Sequence, residues 1–186
     1  MKRLALVVAV AAAATLGLAT PALADESCTG TLGAVTIDDN LSVPKGAVCT
    51  LSGTTVEGNV EVGDNAKLVT IGATIEGNIQ SDDFKRVNVK KNTMVNGDIQ
   101  LEGGGKFLIT GSDVGGNIQV EDNGNGPHEL KNNDVDGDIQ ANENDGGVTI
   151  SNNSVGGNLQ CEGNSPAPTG SGNNVDGDKE GQCSSL

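Results

Sequence analysis

Aromatic residues are almost missing from this 186-residue sequence, which has no tryptophan, no tyrosine and only two phenylalanines, Phe84 and Phe107. Aromatic side chains supply much of the buried area of ordinary protein cores, and flat sugar-binding platforms are commonly built from them. Their scarcity excludes such a platform and indicates a narrow core filled by aliphatic side chains.

Catalytic side chains are equally scarce. His128 is the only histidine, and its place beside Pro127 predicts an exposed turn residue. Arg86 is the only arginine beyond residue 3. The sequence has no Ser-His-Asp set, no Cys-x-x-Cys pair and no HExxH zinc motif. We therefore predict that the protein is not an enzyme and needs no cofactor.

Long apolar runs are absent after residue 24. Before it, Lys2 and Arg3 precede an apolar segment over residues 4–17 and a small-x-small site at Ala22 to Ala24, which is typical of a Sec-type signal peptide. A membrane anchor is the alternative, but the run is short for a span. We expect cleavage after Ala24, a secreted extracellular protein and no membrane insertion.

Basic residues are few. The sequence holds 25 acidic and 11 basic residues, a formal net charge of −14. Losing Lys2 and Arg3 with the signal peptide leaves 25 acidic against nine basic residues, a net charge of −16. Such a chain lacks the basic face that phosphates require, so we expect no nucleic-acid partner. A solvated surface is the favoured interpretation of the acidic excess, and weak binding of divalent cations is the alternative.

A short phrase recurs throughout the chain, as in Ile75-Glu-Gly77-Asn-Ile79-Gln80. Its central glycine returns every 19 to 21 residues, at Gly58, Gly77, Gly97, Gly116, Gly137, Gly157 and Gly177. A period in this range is typical of a solenoid.

Within each phrase, apolar and polar residues alternate with the period of a β-strand. A second predicted strand precedes each phrase, and Gly, Asn and Asp clusters mark the turns. We predict an all-β, single-stranded parallel β-helix of about six coils of about 20 residues each, with right-handed crossovers. A disordered chain is the alternative, and the regular aliphatic columns oppose it.

The predicted organisation is a signal peptide (1–24), an N-terminal cap with the first coil (25–55), β-helix repeats (56–161) and a C-terminal capping loop (162–186).

Four cysteines permit three disulfide pairings in an exported chain. Cys28 and Cys49 lie 21 residues apart, and Cys161 and Cys183 lie 22 apart. Each separation is close to one coil, and neighbouring coils lie about 4.8 Å apart, which suits disulfide geometry. We predict Cys28–Cys49 and Cys161–Cys183, because any other pairing would join the two ends of a rod.

Two polar columns follow the glycines. Asn and Asp alternate from Asn78 onward, so stacked carboxylates would have an amide between them that donates to both. The first column is Asn59, Asn78, Asp98, Asn117, Asp138, Asn158 and Asp178, and the second is Gln80, Gln100, Gln119, Gln140 and Gln160. We interpret both as structural ladders, with a ligand-binding face as the alternative.

Three acidic residues at alternate positions, Asp134, Asp136 and Asp138, resemble the start of a calcium loop. An EF-hand would need glycine in place of Ile139 and glutamate in place of Asp145, so that motif fails. We assign no metal site and keep the three residues as weak Ca²⁺ candidates. Polysaccharide lyases built on β-helices resemble this fold in outline and imply a basic residue beside such a cluster, but Arg86 is two coils away.

The repeated Gly-Asn/Asp-Ile core, over roughly residues 41–160, resembles the bactofilins, which are polymer-forming bacterial β-helix proteins. The tail around Cys161 and Cys183 resembles exported bacterial repeat proteins of uncharacterised function. The bactofilin resemblance implies end-to-end polymerisation in the cytoplasm. The signal peptide, cysteine pairs and capped ends depart from that pattern, and no functional residue carries over.

Taken together, these features predict a non-catalytic exported β-helix that acts as a structural or surface-associated component of the cell exterior. A glycan- or cation-binding module, with a cell-wall or extracellular glycan as partner, is the alternative. A degenerate polysaccharide-active enzyme is the third hypothesis, and self-association stays open.

Overall fold

The computed structural model describes residues 26–186, so the predicted signal peptide lies outside the described residues. Within this part of the chain there are 24 short β-strands and no helix. In chain order they are β1 (Glu26–Ser27), β2 (Gly30–Leu32), β3 (Thr36–Ile37), β4 (Leu41–Val43), β5 (Val48–Ser52), β6 (Thr55–Val56), β7 (Val60–Val62), β8 (Lys67–Ile71), β9 (Thr74–Ile75), β10 (Ile79–Asp82), β11 (Arg86–Lys90), β12 (Met94–Val95), β13 (Ile99–Glu102), β14 (Lys106–Thr110), β15 (Asp113–Val114), β16 (Ile118–Glu121), β17 (His128–Lys131), β18 (Asp134–Val135), β19 (Ile139–Asn142), β20 (Val148–Ser151), β21 (Ser154–Val155), β22 (Leu159–Glu162), β23 (Asn174–Val175) and β24 (Lys179–Gly181).

The strands stack into three parallel sheets, which confirms the predicted all-β parallel solenoid. The sequence indicated two strands in each coil, so the third side was not predicted. Sheet A has the order β1-β4-β7-β10-β13-β16-β19-β22-β24, sheet B the order β2-β5-β8-β11-β14-β17-β20, and sheet C the order β23-β21-β18-β15-β12-β9-β6-β3. There are about eight coils rather than the six predicted. The difference arises because residues on both sides of the clear repeats, where the sequence pattern is weak, still pair with these sheets.

The recurring phrase forms a corner rather than one strand. Its first aliphatic residue ends a strand of sheet C and its second begins a strand of sheet A, as Ile75 and Ile79 do. The glycine between them stacks on the glycine of the preceding coil, with Gly97 N donating to Gly77 O at 3.1 Å. A Cβ on Gly97 would lie 2.8 Å from that carbonyl oxygen. Glycine is therefore required by the close approach of two main chains.

The core is a narrow column of aliphatic side chains that both ends of each phrase contribute. Side chains alternate inward and outward along each strand, so these residues pack above one another through successive coils. The buried columns are Val56, Ile75, Val95, Val114, Val135 and Val155 on sheet C, and Val60, Ile79, Ile99, Ile118, Ile139 and Leu159 on sheet A. Both phenylalanines are also buried, so they are core residues and not a ligand platform.

Two disulfides join neighbouring coils near the two ends of the solenoid, and the predicted pairing is confirmed. Cys28 pairs with Cys49 at a Cα–Cα distance of 5.6 Å, and Cys161 pairs with Cys183 at 5.2 Å. Each link holds an outer coil to the next one inward, which limits fraying where stacking is one-sided.

At the last coil, Lys179 stands in register with Leu159 of the core column. Its Nζ donates to the carbonyl oxygens of Asn173 at 2.9 Å and Leu186 at 2.5 Å. The amine thereby satisfies two main-chain acceptors at this coil, and Leu186 packs against the core beside it. No helix within residues 26–186 is long and apolar enough to cross a membrane.

Candidate functional site

The Asn/Asp column lies at the phrase corner and bonds to the main chain. Except for Asp178 in the last coil, the side-chain Oδ1 of each member accepts a hydrogen bond from the main-chain N–H at the same position of the next coil, as Asp98 does from Asn117 N at 2.7 Å. The same bond joins Asn59 to Asn78, Asn78 to Asp98, Asn117 to Asp138, Asp138 to Asn158, and Asn158 to Asp178. Because asparagine and aspartate share this Oδ1 acceptor, either residue serves.

The alternation adds a second bond at one point. Asn117 Nδ2 donates to Asp98 Oδ1 at 3.1 Å. Its own Oδ1 accepts from Asp138 N. The expectation that the amide donates to both neighbouring carboxylates was therefore wrong. The column is occupied by contacts within the fold.

The glutamine column forms an amide ladder on the outer face of sheet A. Gln80 Nε2 donates to Gln100 Oε1 at 2.7 Å, Gln100 donates to Gln119 at 3.1 Å, and Gln119 donates to Gln140 at 3.3 Å. Gln160 continues the column in register with Gln140. These side chains bond to one another but remain half-buried, so their outer edges face solvent.

The sequence interpretation missed two buried asparagine ladders at the other corners of the later coils. Asn153 represents them: its Nδ2 donates to Leu130 O and to Asn173 Oδ1, both at 2.9 Å, while its Oδ1 accepts from Asn133 N at 3.1 Å. One ladder contains Asn133, Asn153 and Asn173, and the other contains Asn123, Asn144, Asn164 and Gln182. Their spacing of about one coil was the available signal.

The three calcium candidates do not converge. Asp134 and Asp136 are exposed, whereas Asp138 is half-buried and accepts from Asn158 N at 2.6 Å in the corner ladder. Across residues 26–186, no group of three His, Cys, Asp or Glu side chains has a metal-binding arrangement. Arg86 lies on sheet B and Asp134 on sheet C, two coils apart, so they share no site.

His128 is not an exposed turn residue; that expectation was wrong. It begins β17 as an inward-facing position and is fully buried. Phe107 N donates to His128 Nδ1 at 3.3 Å, and His128 Nε2 lies 3.0 Å from Asp145 O. Burial lowers the pKa of His128 below its usual 6.5, and hydrogen bonding to the Asp145 carbonyl opposes that shift in part. The histidine is therefore a neutral residue of the core.

A basic groove lies on the outer face of sheet B. Lys67, Arg86 and Lys106 stand in register on three successive strands, and Lys85 projects beside them. The groove has a volume of about 880 Å³ and no acidic residue in its lining. The net acidity of the chain therefore conceals a local basic face; the spacing of Lys67, Arg86 and Lys106 by 19 and 20 residues could have indicated it.

Asn88 lies on the same face, in register with Val69 below and Leu108 above. It is only 7% exposed, and its Oδ1 has no hydrogen-bond partner. An outward-facing amide that is buried without a partner is unusual in a folded protein. It is the single orphaned side-chain atom of this kind in residues 26–186.

The outer face of sheet A has the opposite charge. A groove of about 630 Å³ on this face contains five carboxylates and three of the ladder glutamines. The acidic residues are Glu61, Asp64, Asp82, Glu102 and Glu121. Asp82, Glu102 and Glu121 stack in register on successive strands. The solenoid therefore segregates charge, with acidic and basic columns on different sheets.

Comparison with known proteins identified no matching protein family, no similar curated protein and no similar solved structure.

Proposed function

We propose that the protein is a non-catalytic, exported β-solenoid that serves as a rigid structural component associated with the cell surface. The observation that carries the proposal is the continuous ladder of hydrogen bonds that the Asn/Asp column makes between successive coils at the phrase corner. This ladder runs from Asn40, whose Oδ1 accepts from Asn59 N at 2.8 Å, to Asp178, and each step ties one coil to the next. A rod bonded in this way displays its side chains at fixed spacings.

The ends of the rod support the same role. Both terminal regions carry a disulfide, and the last coil is covered by Lys179 and Leu186. Disulfides persist in oxidising compartments outside the cytosol. A covered end also disfavours addition of a further coil, so we propose a discrete rod and not an end-to-end filament.

The non-catalytic part of the proposal is supported by the positions of the scarce reactive groups. His128 is buried, with both ring nitrogens engaged. Arg86 projects into a groove with no carboxylate in its lining to act beside it. A lyase or hydrolase would need an acid–base pair at one bound sugar.

The test is fractionation of the source cells with an antibody against residues 26–186. We expect a chain that begins at Asp25, sediments with the cell envelope and is cleaved by protease added to intact cells. A cytosolic chain that retains residues 1–24, or a chain found only in the medium, would overturn the proposal.

Catalysis is tested separately. The purified chain is incubated with acidic polysaccharides, and their size distribution is followed by gel filtration against a heat-denatured control. We expect no shortening; depolymerisation by the folded chain alone would establish an enzyme instead.

A further inference from the structure

We propose that the basic groove on sheet B binds a linear polysaccharide that carries carboxylates. The inference names a partner and rests on the proposed location at the cell exterior. The residues that would bind the polysaccharide are Lys67, Lys85, Arg86, Lys106 and Asn88.

The cations in the groove form no ion pair within residues 26–186. In residues 26–186 there are two ion pairs, Lys45 with Asp64 and Lys131 with Glu129, and both lie outside the groove. Lys67, Arg86 and Lys106 instead stack on neighbouring strands about 4.8 Å apart. Like charges at this spacing repel one another, and bound anions would relieve the repulsion.

Asn88 supplies a second, independent indication of a ligand. Its Oδ1 is buried without a donor in the middle strand of the basic column. This oxygen has almost no accessible surface, so the amide would have to turn toward the groove, where a sugar hydroxyl could donate to it. The flanking Val69 and Leu108 offer apolar surface beside the amide, which suits the C–H faces of a sugar ring.

The shape of the groove favours a chain over a single small anion. Its lining extends from Val48 on β5 to Lys106 on β14, and further to Gly126 before β17. Gly103, Gly104 and Gly105 line part of it without side chains, which leaves room for an extended ligand. A polymer can place successive carboxylates along successive coils.

The charge spacing favours an acidic glycan over nucleic acid. Duplex DNA carries one negative charge per roughly 1.7 Å, whereas this column offers one cation per about 4.8 Å. Single-stranded nucleic acid is usually held by aromatic stacking, and Phe84 and Phe107 are both buried. A carboxylated glycan combines sparse charges with many hydroxyls, which matches cations placed around an amide.

The experiment uses the chain beginning at Asp25 and polygalacturonate oligomers as probe, with binding measured by calorimetry at two salt concentrations. Methyl-esterified oligomers, which lack the charge, are the matched ligand. We expect binding of the acid form, weakening with salt, and little binding of the ester. Equal binding of both forms would overturn the role of the carboxylates.

The variant K67Q/R86Q/K106Q removes three charges from the groove, and K45Q/K91Q/K131Q removes three charges from outside it. We expect the first to weaken binding about tenfold or more, from three lost ion pairs, and the second to leave it within about threefold. Equal weakening by the two variants would overturn the groove as the site.

Asn88→Leu tests the amide without changing charge. The leucine would lie between Val69 and Leu108, so we expect a melting temperature equal to or above that of the parent, together with weaker binding of the acid oligomers. Unchanged binding would overturn the role of Asn88. Tighter binding of single-stranded DNA or polyphosphate than of any uronate would overturn the glycan class.

The two proposals fail in different ways. A surface-located chain that binds no uronate overturns the partner and leaves the structural role. A chain that binds uronate but stays in the cytosol overturns the location instead.

Discussion

The imidazole ring of His128 stacks on the ring of Phe107, with centroids 4.2 Å apart and ring planes inclined by 21°. The two residues are buried and lie on the neighbouring strands β14 and β17 of sheet B. The imidazole also accepts from Phe107 N through Nδ1. That bond requires an unprotonated Nδ1, so Nε2 carries the proton and donates to Asp145 O.

This arrangement predicts a loss of stability on mild acidification. Burial lowers the pKa of His128 from 6.5 in the folded state, so the unfolded chain binds the proton more readily. The contribution of His128 to the free energy of unfolding is fully present above about pH 6.5 and is lost as the pH falls below that value. Urea unfolding at pH 8, 7, 6 and 5.5 measures the effect.

His128→Phe is the matching variant, because it keeps a ring against Phe107 and cannot titrate. We expect it to be about 1–3 kcal/mol less stable at pH 8, since Phe107 N and Asp145 O lose their partner. Its stability should change little between pH 7 and 5.5. A parent-like decline in this variant would assign the pH dependence to other groups.

The glycine corner predicts a steric effect at Gly97. Gly97→Ala would push a Cβ against Asn78 Oδ1 and the Gly77 carbonyl, so we expect destabilisation of about 1–3 kcal/mol. Gly124→Ala is the control, because a Cβ there would meet nothing within 4 Å. Thermal unfolding of both variants makes the comparison, and equal melting temperatures would contradict the requirement for glycine at the corner.

The Asn/Asp ladder predicts a penalty that depends on salt. Asn117→Asp keeps the Oδ1 acceptor for Asp138 N but loses the donor to Asp98 and stacks three carboxylates. We expect a loss of about 1–2 kcal/mol at neutral pH and low salt, which diminishes as salt is added. Asp98→Asn retains Oδ1 and should change stability by less than about 0.5 kcal/mol. A penalty insensitive to salt would show that charge is not its cause.

The disulfides predict local opening at the ends. Replacing Cys161 and Cys183 by alanine removes a link across about 20 residues and should lower the free energy of unfolding by about 3 kcal/mol. In a solenoid each coil contacts only its neighbours. Hydrogen exchange should therefore accelerate in Lys179–Gly181 and remain slow in Ile99–Glu102. Uniform acceleration through all coils would contradict this one-dimensional behaviour.

Much of the fold could be predicted because every coil repeats the same short sequence pattern. The period of about 20 residues indicates stacking, and the cysteine separations then select the pairing. The third sheet could not be predicted as readily. Ile75 and Ile79 alternate like residues of one strand, and only the stacked Gly77 turns the chain between them.

The candidate site was less predictable than the fold. Arg86 attracted attention as the lone arginine, but the basic groove depends on Lys67 and Lys106 standing beside it in register. The negative net charge predicted that the protein has no basic face. A charge summed over the whole chain does not show which side chains share one face of the solenoid. His128 was misjudged since Pro127 suggests a turn, whereas the position that follows Pro127 begins a buried strand.

The sequence by itself determined the period, the aliphatic columns and the cysteine pairing, because each depends on separations along the chain that one coil reproduces. Only the tertiary structure decided which outward side chains share a face. Residues about 20 apart come within one strand spacing, and a difference of one residue moves a side chain to the opposite side of a sheet. The basic groove, the orphaned amide of Asn88 and the burial of His128 all depend on that placement.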